Sequence, residues 1–267
     1  MTNSSAANSN DLFDNARAEG VISAASHKAF TIPDVSAQIN QAMGVPAIDV
    51  KGGSEIFAVE IVVDDSTSIR RAGNEQAIRD GVNKVRADLK GAKNHKSILM
   101  CVRFLNAGVV IPFTPIDDVP LLDSTNYRAN GGTPFYDTTV ISYGDLVKKT
   151  QEFSDRGTPV RSATLLVCDG HDEGSSLYMT PESVAPLTKD FLSGEQHIVC
   201  AMGIQDDLGT DFRDIFLRMG VLEQCILKTD ASGTDIRRGF GTFSTVATTA
   251  SQGAPGFSQA QVGGFSV

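Results

Sequence analysis

The chain has 267 residues, of which 41% are hydrophobic and 21% are charged, proportions close to those of ordinary soluble globular proteins. A chain of this length can bury roughly 70–75% of its unfolded surface, so it needs neither a disulfide nor a metal ion in order to fold. The formal net charge of −9 argues against nucleic-acid binding, because such binding relies on Lys and Arg side chains that neutralise phosphates.

The sequence also predicts the cellular location of the protein and the state of its cysteines. The N-terminal segment lacks the basic start and apolar core of a secretory signal, and no apolar run approaches the roughly 18 residues that span a membrane. The four cysteines lie in short apolar runs without a zinc-binding spacing, at Cys101, Cys168, Cys200 and Cys225. We therefore predict a soluble cytoplasmic protein, not associated with membranes, whose cysteines are reduced core thiols.

The chain divides into three parts by composition. Residues 1–53 are predicted to form an N-terminal extension, partly disordered, with short helices around 11–25 and 35–43. Residues 54–250 alternate between strand and helix patterns and are predicted to form the main domain. Residues 251–267 are rich in Gly, Ser and Gln and are predicted to form a flexible tail.

The central segment determines the predicted fold. Its apolar runs predict strands at 56–63, 97–105, 108–113, 163–169, 197–204 and 224–228. Between and after them, the patterns predict helices at 78–89, 136–151, 181–192, 210–219 and 234–250. Strands that alternate with helices favour parallel crossovers, and continuously apolar strands favour burial on both faces. We therefore predict an α/β fold with a doubly wound, mostly parallel six-stranded sheet, one antiparallel edge strand at 108–113, and helices on both faces.

Polar side chains with oxygen ligands follow the carboxyl ends of these strands. Asp64, Ser66 and Ser68 come directly after the first strand, Asp169 ends the fourth, and Thr133 lies between them in a Gly-Gly-Thr-Pro loop. Ligands of open α/β sheets bind at this end of the strands. An all-oxygen set of two carboxylates and three hydroxyls suits a hard divalent cation such as Mg²⁺.

Together these motifs resemble those of the von Willebrand factor A family. The resemblance rests on Asp64-x-Ser66-x-Ser68, on Thr133 in its glycine loop and on Asp169-Gly170 after an apolar strand, and it spans residues 54–250. It implies a complete metal-ion-dependent adhesion site. The serines and the threonine would contact the ion, the aspartates would act directly or through water, and an acidic side chain of a partner protein would fill a free coordination position.

Two residues of the first loop depart from the family pattern. Thr67 stands where family members often have Gly, and it is expected to stiffen the loop. Asp65 adds a carboxylate that would strengthen cation binding, repel an acidic ligand or simply point to solvent. We predict a partner-binding rim around the ion, which consists of Asp65, Tyr127, Arg128 and His171.

The predicted function is a protein interaction module that depends on Mg²⁺, with Mn²⁺ as a possible substitute, and that is not an enzyme. The resemblance further implies an intracellular adaptor or assembly subunit, with an ATPase-containing assembly as one setting. Two alternatives stay open. One is a Mg²⁺-dependent phosphoryl hydrolase, although no general base is placed by the sequence, and the other is a structural subunit whose metal site is idle.

Overall fold

A computed structural model describes residues 10–50, 54–169, 171–205 and 209–252. Most of the predicted C-terminal tail, the first nine residues and Gly170 of the Asp169-Gly170 motif lie outside these ranges. The division of the chain at residues 53 and 250 stays a prediction.

The centre of the fold is a six-stranded sheet with the order β3-β2-β1-β4-β5-β6. The strands are β1 (Ile56–Val63), β2 (Ile98–Phe104), β3 (Gly108–Pro115), β4 (Val160–Cys168), β5 (His197–Ile204) and β6 (Ile226–Thr229). All neighbours are parallel except β2 and β3, which form an antiparallel pair at the edge. This arrangement confirms the predicted fold class.

Helices precede and follow the strands. They are α1 (Asp11–Ala18), α2 (Ala24–Phe30), α3 (Pro33–Ala42), α4 (Thr67–Arg71), α5 (Glu75–Lys90), α6 (Phe135–Ser154), α7 (Pro181–Ser193), α8 (Phe212–Arg218) and α9 (Gly233–Ser251). Helix α5 covers the predicted helix at 78–89, and its apolar residues Ile78, Val82, Val85 and Leu89 are all buried. Helix α4 was not predicted, because five residues are too few to show a helical period.

Helices cover both faces of the sheet. Side chains of successive strand residues point to opposite faces. A Cβ atom added at Gly203 of β5 would meet Phe212 of α8, whereas Met202, the residue before it, touches Gly239 of α9. Helices α8 and α9 therefore lie on opposite faces. Helices α6 and α7 continue the α8 layer, and α5 packs against α9.

The N-terminal helices form a further layer outside α6. All but three of the 20 residues of α6 are buried, because the sheet covers one side and helices α1, α2 and α3 cover another. Lys149 of α6 donates hydrogen bonds to the carbonyl oxygens of Met43 and Val45, at 2.7 and 2.6 Å. Phe13 and Ile39 of this layer belong to the same core cluster as the sheet.

Two sequence predictions bear on the core and the surface. All four cysteines are buried, and no disulfide joins any of them. Three of them lie in strands as predicted, but Cys225 lies in a turn of 3-10 helix one residue before β6. None of the helices in the described part of the chain is both long and apolar enough to cross a membrane.

Candidate metal centre

The sheet order places the predicted site at a topological switch point. The chain leaves β1 toward β2 on one side and β4 toward β5 on the other, so a crevice opens between the carboxyl ends of β1 and β4. Asp64 follows the last residue of β1, and Asp169 follows the last residue of β4. The two aspartates therefore face each other across this crevice.

Asp64 is fully buried and fixed by backbone donors. Its Oδ1 accepts a hydrogen bond from the N–H of Ser66 at 2.8 Å, and its Oδ2 accepts one from the N–H of Asp169 at 3.1 Å. Burial, followed by the negative charge of Asp169, raises the pKa of Asp64 to about 7. A bound cation would reverse this shift, because its charge favours the ionised carboxylate.

The two serine hydroxyls converge on the second aspartate. Ser68 Oγ donates to Asp169 Oδ1 at 2.7 Å, Ser66 Oγ lies 3.3 Å from the same oxygen, and the two hydroxyl oxygens are 2.7 Å apart. Ser66 is buried at the N-cap of α4, while Ser68 is exposed. The two hydroxyls, which are two positions apart in the sequence, therefore lie beside the same carboxylate.

Thr133 approaches the same cleft from the glycine loop. Its backbone forms an antiparallel bridge with Glu173, in which each N–H donates to the other carbonyl oxygen, at 3.3 and 2.9 Å. Its side chain is buried. In the described part of the chain, no hydrogen-bond partner is found for the Thr133 hydroxyl, so this oxygen is free to serve a ligand.

The glycine loop is held against the first loop by Thr67. The Thr67 hydroxyl donates to the carbonyl oxygen of Gly131 at 3.1 Å and accepts from the Gly131 N–H at 3.2 Å. Gly131 has a φ of 143°, and a Cβ added at Gly132 would lie 2.8 Å from the Glu173 carbonyl oxygen. Only glycine fits both constraints well. The predicted stiffening role of Thr67 thus takes the form of a tie between two loops.

Tyr127 was predicted to belong to the partner-binding rim, and this prediction is wrong. The side chain is fully buried, with its ring edge-on to Phe104 at a centroid distance of 5.0 Å. Its hydroxyl donates to the backbone carbonyl oxygen of Asp64 at 2.6 Å. Tyr127 therefore positions the end of β1 and cannot touch a partner.

Asp65 was also predicted at the rim, with solvent as the alternative, and the structure contradicts both. Its side chain is 2% exposed. The carboxylate accepts hydrogen bonds from the N–H of Asn106 at 2.8 Å, from its side-chain amide at 2.9 Å and from the N–H of Ala107 at 3.1 Å. Asp65 therefore ties the end of β1 to the β2–β3 turn.

The other two rim residues are on the surface. Arg128 is exposed, and its Nε donates to the carbonyl oxygen of Ser124 at 2.9 Å, but it does not line the cleft. His171 is exposed, lines the cleft and has its Nε2 3.2 Å from the Thr210 hydroxyl. A role of either residue in partner binding stays a prediction.

A cleft of about 500 Å³ opens over these groups. Its walls include Ser66, Ser68, Arg71, Thr133, Asp169, His171 and Glu173. The described residues contain no cluster of three or more His, Cys, Asp or Glu side chains that could hold a metal. A cation here would therefore depend on two carboxylates and neutral hydroxyls, a donor set that fits Mg²⁺ with some retained water.

Three residues that support or line the cleft were not assigned these roles from the sequence. Asn106 looked like a turn former, but its amide also donates to the Gly132 carbonyl oxygen at 2.8 Å. Glu173 holds Thr133 by its backbone. Arg71 lines the cleft, and a signal for it existed, since it follows Ser68 by three positions, which is one helical turn.

Comparisons with known proteins bear on the fold. The sequence matches no protein-family profile and no curated protein. Among solved structures, the pilus adhesin SpaC from Lactobacillus rhamnosus GG is 14% identical, with a TM-score of 0.50 over 78% of this chain and 31% of that one. The vWF domain of the type V pili tip protein Mfa5 from Porphyromonas gingivalis is 11% identical, with a TM-score of 0.47 over 76% of this chain and 98% of that one.

A third structure is that of proximal thread matrix protein 1 from the mussel byssus with a zinc-occupied MIDAS motif. It is 15% identical, with a TM-score of 0.45 over 73% of this chain and 46% of that chain. This chain thus spans about half of the mussel protein and about a third of SpaC. At such low identities a likeness concerns the fold alone, and among these three structures it is SpaC, with a TM-score of 0.50, that supports the predicted α/β fold.

Proposed function

We propose that this protein binds a divalent cation at the switch point of its sheet and uses it to grip an acidic side chain of a partner protein. The observation that carries the proposal is the convergence of the Ser66 and Ser68 hydroxyls on Asp169 Oδ1, within 3.3 Å. The ion would be Mg²⁺ or Mn²⁺, held by these three residues together with Asp64 and Thr133.

The proposed ligand set leaves the ion electrophilic. Two carboxylates balance its charge only if both are ionised, and the remaining protein ligands are neutral hydroxyls. The ion would supply a Lewis-acidic position that faces the cleft. A carboxylate that replaces a water there would be attracted more strongly than in bulk solvent, because the site is partly desolvated. An Asp or Glu of a protein partner fits this position.

A binding function is favoured over catalysis by the surroundings of the hydroxyls. Nucleophilic catalysis by Ser66 would require a neighbouring base. The carboxylate 3.3 Å from its hydroxyl, that of Asp169, is the one we assign to the cation. Within the described ranges Ser66 shares no hydrogen bond with His171, whose ring nitrogen lies beside Thr210. We therefore propose a non-catalytic module, and we extend the proposal to a cytoplasmic adaptor or assembly subunit, with an ATPase-containing assembly as one setting.

The proposal is tested by affinity capture with the full chain as bait, in Mg²⁺ and in EDTA. Thr133→Val removes one proposed ligand and keeps the shape of the side chain, while Thr245→Val makes the same change on an exposed position of α9. We expect a partner that Mg²⁺ retains and EDTA releases, that Thr133→Val loses and that Thr245→Val keeps. A direct partner that binds equally well in EDTA and to Thr133→Val would refute the proposal.

A further inference from the structure

Helix α4 carries two groups that face the same cleft. Ser68 is one of the proposed cation ligands, and Arg71 lies three positions later, so the two side chains share a face of the helix with Cβ atoms about 5–6 Å apart. Arg71 lines the cleft together with Ser68 and Asp169, whereas its neighbour Arg70 does not. A cationic side chain therefore stands within one helical turn of the proposed ion.

The guanidinium of Arg71 is available to a ligand. The residue is exposed, and within the described part of the chain it makes neither a hydrogen bond nor an ion pair. Six of the twelve other arginines there are engaged with carboxylates, in the pairs Arg103–Asp145, Arg161–Glu55, Arg213–Glu223, Arg218–Glu182, Arg237–Asp80 and Arg238–Asp235. In a chain with a net charge of −9, an unengaged arginine at the mouth of a cleft marks a place where an anion would be stabilised.

Glu173 also lines the cleft and has the opposite charge. It is exposed and is held against the glycine loop by its backbone bridge to Thr133. A second anionic group on a ligand would be repelled by Glu173 and attracted by Arg71. The electrostatics of the cleft therefore orient an acidic ligand, with its second negative charge on the α4 side.

We propose that Arg71 is a specificity residue, which selects a partner segment that presents two carboxylates. One carboxylate takes the free position on the cation, and the other pairs with the guanidinium. An arginine suits this role because its planar guanidinium donates hydrogen bonds to both oxygens of a carboxylate at once. This inference rests on the proposed function, since the first carboxylate needs the ion.

The inference is tested with small carboxylates and the Mg²⁺-loaded full chain. Backbone amide shifts of residues 66–71 and 131–133 would be followed by NMR during titration with linear dicarboxylates from succinate to adipate. The monocarboxylate of the same chain length serves as the control at each step. Arg71→Gln is compared with Arg70→Gln, which removes the same charge from the same exposed helix outside the cleft.

We expect at least one dicarboxylate to bind the wild type about three- to tenfold more tightly than its monocarboxylate control, as one additional charge-assisted pair implies. Arg71→Gln should abolish this preference, Arg71→Lys should keep part of it, and Arg70→Gln should keep all of it. The inference would be overturned if the wild type did not prefer a dicarboxylate over its monocarboxylate control. It would also be overturned if this preference survived Arg71→Gln, or if Arg70→Gln removed it equally. Failure of the proposed function would give another result: carboxylates would bind equally well with and without EDTA, since no cation would be involved.

Discussion

The backbone N–H of Asp169 donates a hydrogen bond to Oδ2 of Asp64 at 3.1 Å, which ties together the carboxyl ends of two neighbouring parallel strands. The other oxygen of Asp64 caps the N–H of Ser66, so one buried carboxylate orients both loops of the candidate site. The site is thus preorganised by the same side chain that is proposed to balance part of the charge of the cation.

Tyr127 provides a test of how strictly the end of β1 must be positioned. Tyr127→Phe removes the hydroxyl that donates to the Asp64 carbonyl oxygen and leaves this buried acceptor without that donor. We expect a loss of about 1–3 kcal/mol in the free energy of unfolding, together with weaker Mg²⁺ binding. Urea unfolding and calorimetric titration would measure the two effects. Tyr178→Phe, at a half-buried position, is the control and should change neither.

A substitution of Asp65 tests whether this residue supports the loop rather than contacts a partner. Asp65→Asn keeps the size of the side chain but weakens three hydrogen bonds from Asn106 and Ala107. We expect a destabilisation of about 1–3 kcal/mol, measured by urea unfolding, whereas Asp118→Asn at an exposed position should have little effect. Equal stability of Asp65→Asn and the wild type would be at odds with the supporting role assigned here.

The supporting residues show why part of the site could not be predicted from the sequence. Four of the five ligands, Asp64, Ser66, Ser68 and Asp169, were predicted because they follow apolar strands, and the ends of parallel strands meet at one edge of a sheet. Thr133 was predicted from its glycine loop. Whether Asp65 and Tyr127 face solvent or protein depends on partners such as Asn106, which lies 41 residues from Asp65. Local sequence patterns do not predict contacts between residues so far apart in the chain.

The same limit applies to the fold. The mostly parallel sheet and its antiparallel edge hairpin were predictable from alternation and turn residues. The burial of almost all of α6 was not predictable, because a lysine such as Lys149 is usually exposed. Only the structure shows its ammonium group donating to the carbonyl oxygens of Met43 and Val45. The N-terminal layer therefore became apparent only in three dimensions.

Beneath this layer lies a buried acidic residue that makes stability depend on pH. Glu60 of β1 is fully buried, with Oε1 3.6 Å from Nε of Arg103, while Arg103 Nη2 lies 2.6 Å from Asp145 Oδ2. Burial, followed by the negative charge of Asp145, raises the pKa of Glu60 well above its usual value. The folded state therefore keeps a proton that the unfolded chain releases, and stability falls as pH rises above the pKa of an ordinary Glu.

Glu60→Gln tests this pH dependence. Glutamine is neutral and nearly the same shape, so it removes the linked proton without leaving a cavity. We expect the variant to gain stability relative to the wild type as pH rises from 5 to 8, by up to about 1.4 kcal/mol per pH unit. Urea unfolding at each pH measures the difference. If the difference in unfolding free energy between the wild type and the variant stays constant over this pH range, Glu60 is ionised in the folded protein.

The burial of the cysteine thiols predicts that they react slowly with thiol reagents. Cys101 and Cys200 are fully buried, and burial raises the pKa of the Cys101 thiol well above its usual value. Thiolate is the reactive form, so the native protein should react with a thiol reagent much more slowly than the protein in denaturant. Mass spectrometry after brief labelling would count modified cysteines. Two or more labelled at once in the native protein would contradict the core described here.

The central claim is that Asp64, Ser66, Ser68, Thr133 and Asp169 hold one divalent cation, and calorimetric titration of Mg²⁺ and Mn²⁺ into the metal-free chain tests it most directly. We expect one saturable site in the wild type and in Thr245→Val, and binding at least about tenfold weaker in Thr133→Val and Asp169→Asn. Saturation at a hundredfold excess over Kd should also stabilise the wild type by about 2.7 kcal/mol. Absence of binding to the wild type, or equal affinity in all four proteins, would contradict the account.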